Sequence, residues 1–149
     1  MTNRLHRLIY CSRYDIAEAD LDDLVGDIIR ASIRNNRASD ITGMLLVHRG
    51  FFVQALEGPA EAVLTTYGRI CNDPRHRDSK VLCAGPADRR AFGDWNMCAQ
   101  RVTPSDDAIL ETLSQRTTFA PDKLQGAHAL RLLTTVRRIQ QDTQQRALA

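Results

Sequence analysis

A glutamine stands where the local pattern asks for an aliphatic residue. The stretch ITGMLLVHRGFFVQALEG, Ile41 to Gly58, contains two apolar runs, Met44–Val47 and Phe51–Leu56, joined by His48-Arg49-Gly50, and Gln54 interrupts the second. Runs of this kind suit a buried β-hairpin covered on both faces. Alternation sets Gln54 on one face with Phe52 and Leu56, and Phe51, Val53 and Ala55 on the other. A buried carboxamide left unpaired costs on the order of 1–3 kcal/mol, so either neighbouring main chain or a bound polar molecule must satisfy it. Other polar groups fall at comparable places. Tyr10 shares a strand face with Leu8, as a core tyrosine with a hydrogen-bonded hydroxyl would. Asn36 continues the helical stripe of Ile28 and Ser32, so it either faces the sheet or, with Asn35, simply ends the helix. Arg69 and Asp73 are spaced for a surface ion pair. Arg75-His76-Arg77 make a basic corner suited to phosphate or merely to solvent. Trp95 and Met97 share a face of a late strand, where core packing is the first expectation.

Several chemistries are excluded by what is missing. Cys11, Cys71, Cys83 and Cys98 form no C-x-x-C unit, and His6, His48, His76 and His128 complete no ligand pattern, so reduced thiols and no metal are expected. There is no Gly-rich dinucleotide loop and no candidate substrate base, which argues against an enzyme. A net charge of +2 with a pI near 8.5 is too mild to imply direct nucleic-acid binding. Hydrophobic and charged contents of 43% and 26% are those of a globular protein, and no apolar run approaches the roughly 20 residues that cross a bilayer. MTNRLHRLIY carries no cleavage site, so a cytoplasmic protein without membrane attachment is expected.

The elements that must position these residues follow from periodicity. At 149 residues one domain with a small appendage is expected. Leu5–Ser12 reads as a first strand. Asp20 reads as the N-cap of a helix whose stripe is Leu21, Leu24, Val25, Ile28 and Ser32. After the hairpin, Gly58-Pro59 should open a second helix with proline at its first position and Val63, Tyr67, Ile70 and Cys71 as its stripe, ended by Pro74. Val81–Ala84 and Trp95–Val102 read as further strands. Thr103-Pro104-Ser105-Asp106 should start one C-terminal helix, and Pro121-Asp122 a longer one using Leu124, Ala129, Leu132, Leu133, Val136 and Ile139, with Gln140–Ala149 frayed. The order predicts an α+β fold, a ferredoxin-like β-α-β-β-α-β-β mixed sheet with two helices on one face and the C-terminal helices capping the other.

Five ordered pieces, LIY-x-S, RNN-x-x-x-x-ITG, F-x-Q-x-LEG, RI-x-x-D-x-RH and RR-x-F-x-x-W-x-M, make the chain from Leu5 to Arg101 resemble the BLUF family of flavin-binding blue-light sensors. The resemblance implies residues 1–102 as the flavin-binding domain and 103–149 as a helical extension. It implies noncovalent FAD, with FMN or riboflavin as possible substitutes. Gln54 would bond the reactive ring edge and the Tyr10 hydroxyl; Asn36 would bind the carbonyl edge, assisted by Asn35; Ile28 and Ile70 would sandwich the ring. Arg69, Asp73, Arg75 and His76 would hold the ribityl chain and phosphates. Light would make the flavin an oxidant of Tyr10 by way of Gln54, and a rotated or tautomerised Gln54 would persist as a red shift. Trp95 and Met97 would pass the change to the C-terminal helices. With no room after Arg101 for a catalytic effector, the output implied is contact with a separate signalling protein, from a homo-oligomer. The competing readings are a flavin-free ferredoxin-like interaction module, which the presence of Tyr10, Asn36 and Gln54 opposes, and a small flavoenzyme.

Overall fold

The computed structural model describes residues 4–93, 98–101, 121–123 and 126–148. Its strands are β1 (Leu5–Arg13), β2 (Thr42–His48), β3 (Phe51–Pro59), β4 (Arg77–Pro86) and β5 (Cys98–Arg101). Helix α1 (Glu18–Ser39) joins β1 to β2, α2 (Ala60–Cys71) joins β3 to β4, and a 3-10 turn at Pro121–Lys123 precedes α3 (Gly126–Leu148). The sheet order is β4-β1-β3-β2-β5. The first four strands pair antiparallel and β5 pairs parallel to β2, giving the mixed α+β sheet that the element order predicts.

Side-chain alternation splits the core into two layers. Leu8, Tyr10, Leu45, Val47, Phe52 and Leu56 pack with Leu21, Val25 and Ile28 of α1 and Val63 of α2. Ile9, Cys11, Met44, Leu46, Val53 and Ala55 pack with Phe92 and with Ala129, Leu132, Leu133 and Val136 of α3. Thus α1 and α2 cover one face and α3 covers the other, each large aliphatic side chain contributing about 1.5–3 kcal/mol through burial. The β2/β3 hairpin closes tightly: His48 pairs with Phe51, and Arg49 and Gly50 have φ of 47° and 85°. Two left-handed residues make the two-residue turn whose twist matches the strands, and glycine adopts that conformation without steric cost. At the start of α3, a Cβ on Gly126 would overlap Cys83 of β4 and approach the Leu82 carbonyl oxygen to 3.0 Å, while Lys80 donates to the Asp122 carbonyl at 2.7 Å.

Helix limits differ from the sequence expectation. α1 begins at Glu18, so Asp20 lies inside the first turn; with Glu18, Asp22 and Asp23 also present, helix-dipole preference does not single out one acidic residue as the cap. The helix also runs through Asn35 and Asn36 to Ser39, because the interior cost of asparagine is under about 0.7 kcal/mol, and the left-handed reversal comes at Asp40, φ 56°. Pro59 occupies the N-cap position rather than the first helical position, α2 ends at Cys71 with Asn72 as its C-cap, and Cys71 is exposed. α3 stays helical to Leu148 where fraying was expected. The helix expected from Thr103, together with Leu124, Trp95 and Met97, lies outside the described residues, as do the side chains of Asn36 and Ile139. Among the described residues no helix is long and apolar enough to cross a membrane, and no cluster of three metal-ligating side chains occurs.

Candidate functional site

Tyr10 of β1 and Gln54 of β3 are direct cross-strand partners, and both project toward α1 and α2. Tyr10 is fully buried and Gln54 is 3% exposed. The Tyr10 hydroxyl donates a hydrogen bond to Gln54 Oε1. Burial, reinforced by neighbouring Tyr67, raises the Tyr10 pKa well above its ordinary value, so the phenol holds its proton at neutral pH. Around this pair lies an aromatic cluster. The Tyr67 ring centroid is 5.2 Å from that of Tyr10, and the His76 ring sits 4.9 Å from Phe52.

Over Gln54 opens a cavity of about 180 Å³, lined by Ile28, Ala31 and Asn35 of α1, Gln54 and Leu56 of β3, Thr66, Arg69 and Ile70 of α2, and Asp73, Arg75 and His76 of the following loop. Asp73 does not pair across a helical turn with Arg69. Its carboxylate instead accepts from the Arg75 backbone N–H at 2.9 Å and from Arg75 Nε at 2.9 Å, which holds its pKa below the ordinary carboxylate value. The Arg75 guanidinium is thereby matched by a carboxylate, and Arg69 stands exposed at the rim. His76 is more enclosed than a basic corner implies. Its Nδ1 lies 2.8 Å from the buried Ser12 hydroxyl, and burial pushes its pKa down to about 4, so the ring is neutral at pH 7.

Of the residues singled out in the sequence, the fold gathers Ile28, Asn35, Gln54, Arg69, Ile70, Asp73, Arg75 and His76 on one cavity, with Tyr10 behind Gln54. Asn36 is described only as backbone in α1, and Trp95 and Met97 are outside the described residues. Sequence reasoning gave no site role to Ala31, Thr66, Tyr67 and Ser12. Ala31 was legible: at about 100° per residue, positions 28, 31 and 35 form a stripe in which Asn35 lies about 20° from Ile28, whereas Asn36 is about 80° away. Tyr67 stood on the α2 stripe, but its pairing with Ser79 and that of Ser12 with His76 carried no signal, because those partners come from β4 and the loop before it.

This donor set fits a flavin. A planar ring with a polar edge needs apolar walls and convergent hydrogen-bonding groups; Ile28 and Ile70 supply the former, the carboxamides of Gln54 and Asn35 the latter. A cation at the rim suits a phosphorylated tail.

Comparison with known proteins agrees with this geometry. The family described as BLUF, sensors of blue light using FAD, matches residues 5–98. The chain is 38% identical over 93 residues to the blue light- and temperature-regulated antirepressor BluF of Escherichia coli, covering 62% of this chain and 23% of that protein. It is 34% identical over 115 residues to the photoactivated adenylate cyclase subunit alpha of Euglena gracilis, covering 75% of this chain and 11% of that one. The chain therefore spans only a minor part of these relatives. Among solved structures, the photo-activated state of BlsA superposes with a TM-score of 0.79 at 27% identity, covering 88% of this chain and 93% of that one. The dark state of BlrB, a BLUF protein, gives a TM-score of 0.67 at 33% identity, covering 91% and 96%. With the motifs, the sheet and the flavin-compatible cavity in agreement, the chain belongs to the BLUF family of blue-light sensors.

Proposed function

We propose that this chain binds FAD noncovalently between Ile28 and Ile70 and reports blue light by rearranging the Tyr10–Gln54 hydrogen bond, altering its contact with a separate protein. The observation that carries the reading is the buried Tyr10 hydroxyl bonded to Gln54 Oε1 at the floor of the cavity. Bound flavin supplies the light absorption and, once excited, the oxidising power. Tyr10 is the chain's electron donor, and because burial keeps the phenol protonated its proton does not leave ahead of the electron. The proton's exit is Gln54 Oε1. A carboxamide protonated at Oε1 would pass a proton from Nε2 to the ligand that holds Tyr10's electron, and return of the electron and a proton to Tyr10 would leave Gln54 tautomerised or turned about its last bond, which alters what it presents to Tyr10 and to the cavity. Asn35 and Asn36 would orient the ligand, Arg69 would meet a phosphate, and the Asp73–Arg75 pair and His76 would shape the wall around the ribityl chain.

A sensor rather than an enzyme is favoured because the described titratable groups at the cavity are poor bases: Asp73 is held by Arg75, and His76 has a depressed pKa. A protein output, as the antirepressor relative's name suggests, would involve residues 103–149 and, on the family resemblance, Trp95 and Met97, within a homo-oligomer. The free thiols of Cys11, Cys71 and Cys83 favour a reducing, cytoplasmic setting. Purified protein reconstituted separately with FAD, FMN and riboflavin should be yellow, bind FAD most tightly, and show a reversible red shift under blue light. Failure to take up any flavin refutes the reading.

A further inference from the structure

On the opposite sheet face from Gln54, three residues along β3, Glu57 is a fully buried carboxylate. Both of its oxygens are engaged. Oε2 accepts from Arg7 Nε and from the Ala91 backbone N–H, each at 2.8 Å, and Oε1 accepts from the Phe92 backbone N–H at 2.7 Å. Two consecutive peptide groups are thus fastened to the strand that carries Gln54. Their surroundings tighten the attachment: Arg7 also donates to the Arg89 carbonyl at 2.9 Å, and Arg90 donates to Thr42 Oγ1 at 2.9 Å and to the Glu57 carbonyl at 3.2 Å. The same two residues are gripped from the other side by α3. Arg137 donates to the Ala91 carbonyl, and its guanidinium carbon lies 5.7 Å from the centroid of the buried Phe92 ring.

We propose that Glu57 and Arg137 are positioning residues of an output latch, in which a rearrangement at Gln54 reaches α3 through the Ala91–Phe92 peptide unit. The proposal rests on Gln54 being the light-driven switch. Gln54 and Glu57 are about 10 Å apart along one extended strand, and charge-assisted hydrogen bonds resist sliding of that strand past Ala91–Phe92, so the strand and the peptide unit move together. Arg137 is where the motion passes to the helix. Its bond to the Ala91 carbonyl and its place over Phe92 are either kept or released, which makes the contact a two-state element rather than a continuous hinge.

The test uses the full chain loaded with FAD, with two readouts taken in darkness and under blue light: the flavin absorption shift and amide hydrogen exchange along α3. Wild type should show the red shift and a light-dependent change in exchange around Leu132–Arg137. Arg137→Met should keep the red shift, since it touches neither Tyr10 nor Gln54. Its dark exchange in α3 should rise about tenfold, as for loss of one charge-assisted hydrogen bond, and its light–dark difference should disappear. Arg137→Lys, which retains a donor and a charge, should restore part of that difference. Phe92→Leu, which keeps an apolar side chain in the core, should reduce it if Arg137→Met does not fold. A wild-type light–dark difference in α3 in the Arg137→Met or Phe92→Leu protein overturns the latch, as does a red-shifting wild type with no change in α3. Absence of any red shift in flavin-loaded wild type overturns instead the reading of Gln54 on which the latch rests.

Discussion

Tyr10 and Gln54 should be energetically coupled even without a ligand, and a double-mutant cycle measures this directly. Gln54→Leu leaves a side chain of similar size but removes the acceptor of a hydroxyl on a fully buried residue. Stranding such a hydroxyl costs on the order of 1–3 kcal/mol. Tyr10→Phe keeps the ring against Tyr67 and removes the donor from Oε1, at a similar cost. In the double variant neither group is stranded, and replacement of both partners by apolar groups is close to neutral for that bond. The sum of the single effects should therefore exceed the double effect by at least about 2 kcal/mol, the two stranding costs at their lower limits, or at least roughly 4 °C in Tm at about 2–4 °C per kcal/mol. Urea unfolding of the four flavin-free proteins gives the number. Additivity within about 0.5 kcal/mol means that the pair does not interact in the folded chain, and the proposed proton exit from Tyr10 goes with it. With flavin bound, both single variants should retain colour and lose the light-induced shift; a normal shift in either removes that residue from the relay.

Three further outcomes follow from the site and its supports. Because folding lowers the His76 pKa from 6.5 to about 4, the unfolded chain takes up the proton first as pH falls. Stability should thus be full above about pH 6.5 and decline by about 3 kcal/mol toward pH 4, and His76→Gln should flatten that window in denaturation curves. Asn35→Ala and Asn36→Ala should each lower flavin occupancy on purification, the first because Asn35 lines the cavity; full occupancy in both variants places the ring elsewhere. Gly126→Ala should destabilise the chain by about 1–3 kcal/mol through overlap with Cys83, and an unchanged Tm shows that the start of α3 can yield.

Strand faces were legible in the sequence because side-chain alternation has a period of two that one out-of-place residue cannot blur. Gln54 fell on one face of its strand with Leu56, and Tyr10 on one face of its strand with Leu8, as found. Helix ends were less legible. Asn35 and Asn36 allowed a stop because asparagine tolerates a C-cap, yet the helix continues past them, and Asn35, seven residues on from Ile28, lines the cavity with it. Charges were the least legible of all. Spacing paired Asp73 with Arg69, but the chain turns after Pro74 so that Arg75 reaches back to the same carboxylate, and no helical period encodes a loop's reversal. His76 likewise looked cationic beside Arg75 and Arg77 until tertiary packing enclosed it against Ser12 and Phe52.

The placement of two polar residues on β3 has a structural logic. Gln54 and Glu57 differ by an odd number of positions, so alternation sends them to opposite faces of the same strand, one toward α1 and α2 and the other toward α3. A switch buried in the first layer could not act on the second by contact, because the sheet stands between them. A strand with a polar group fastened on each face avoids that barrier. Displacement of the backbone at Gln54 is shared by Glu57, whose three hydrogen bonds leave its carboxylate little freedom to absorb it. An aliphatic residue at 57 would pack there with no directional bonds and let the strand slide, so the buried carboxylate, costly in isolation, is the group that makes the two layers move as one.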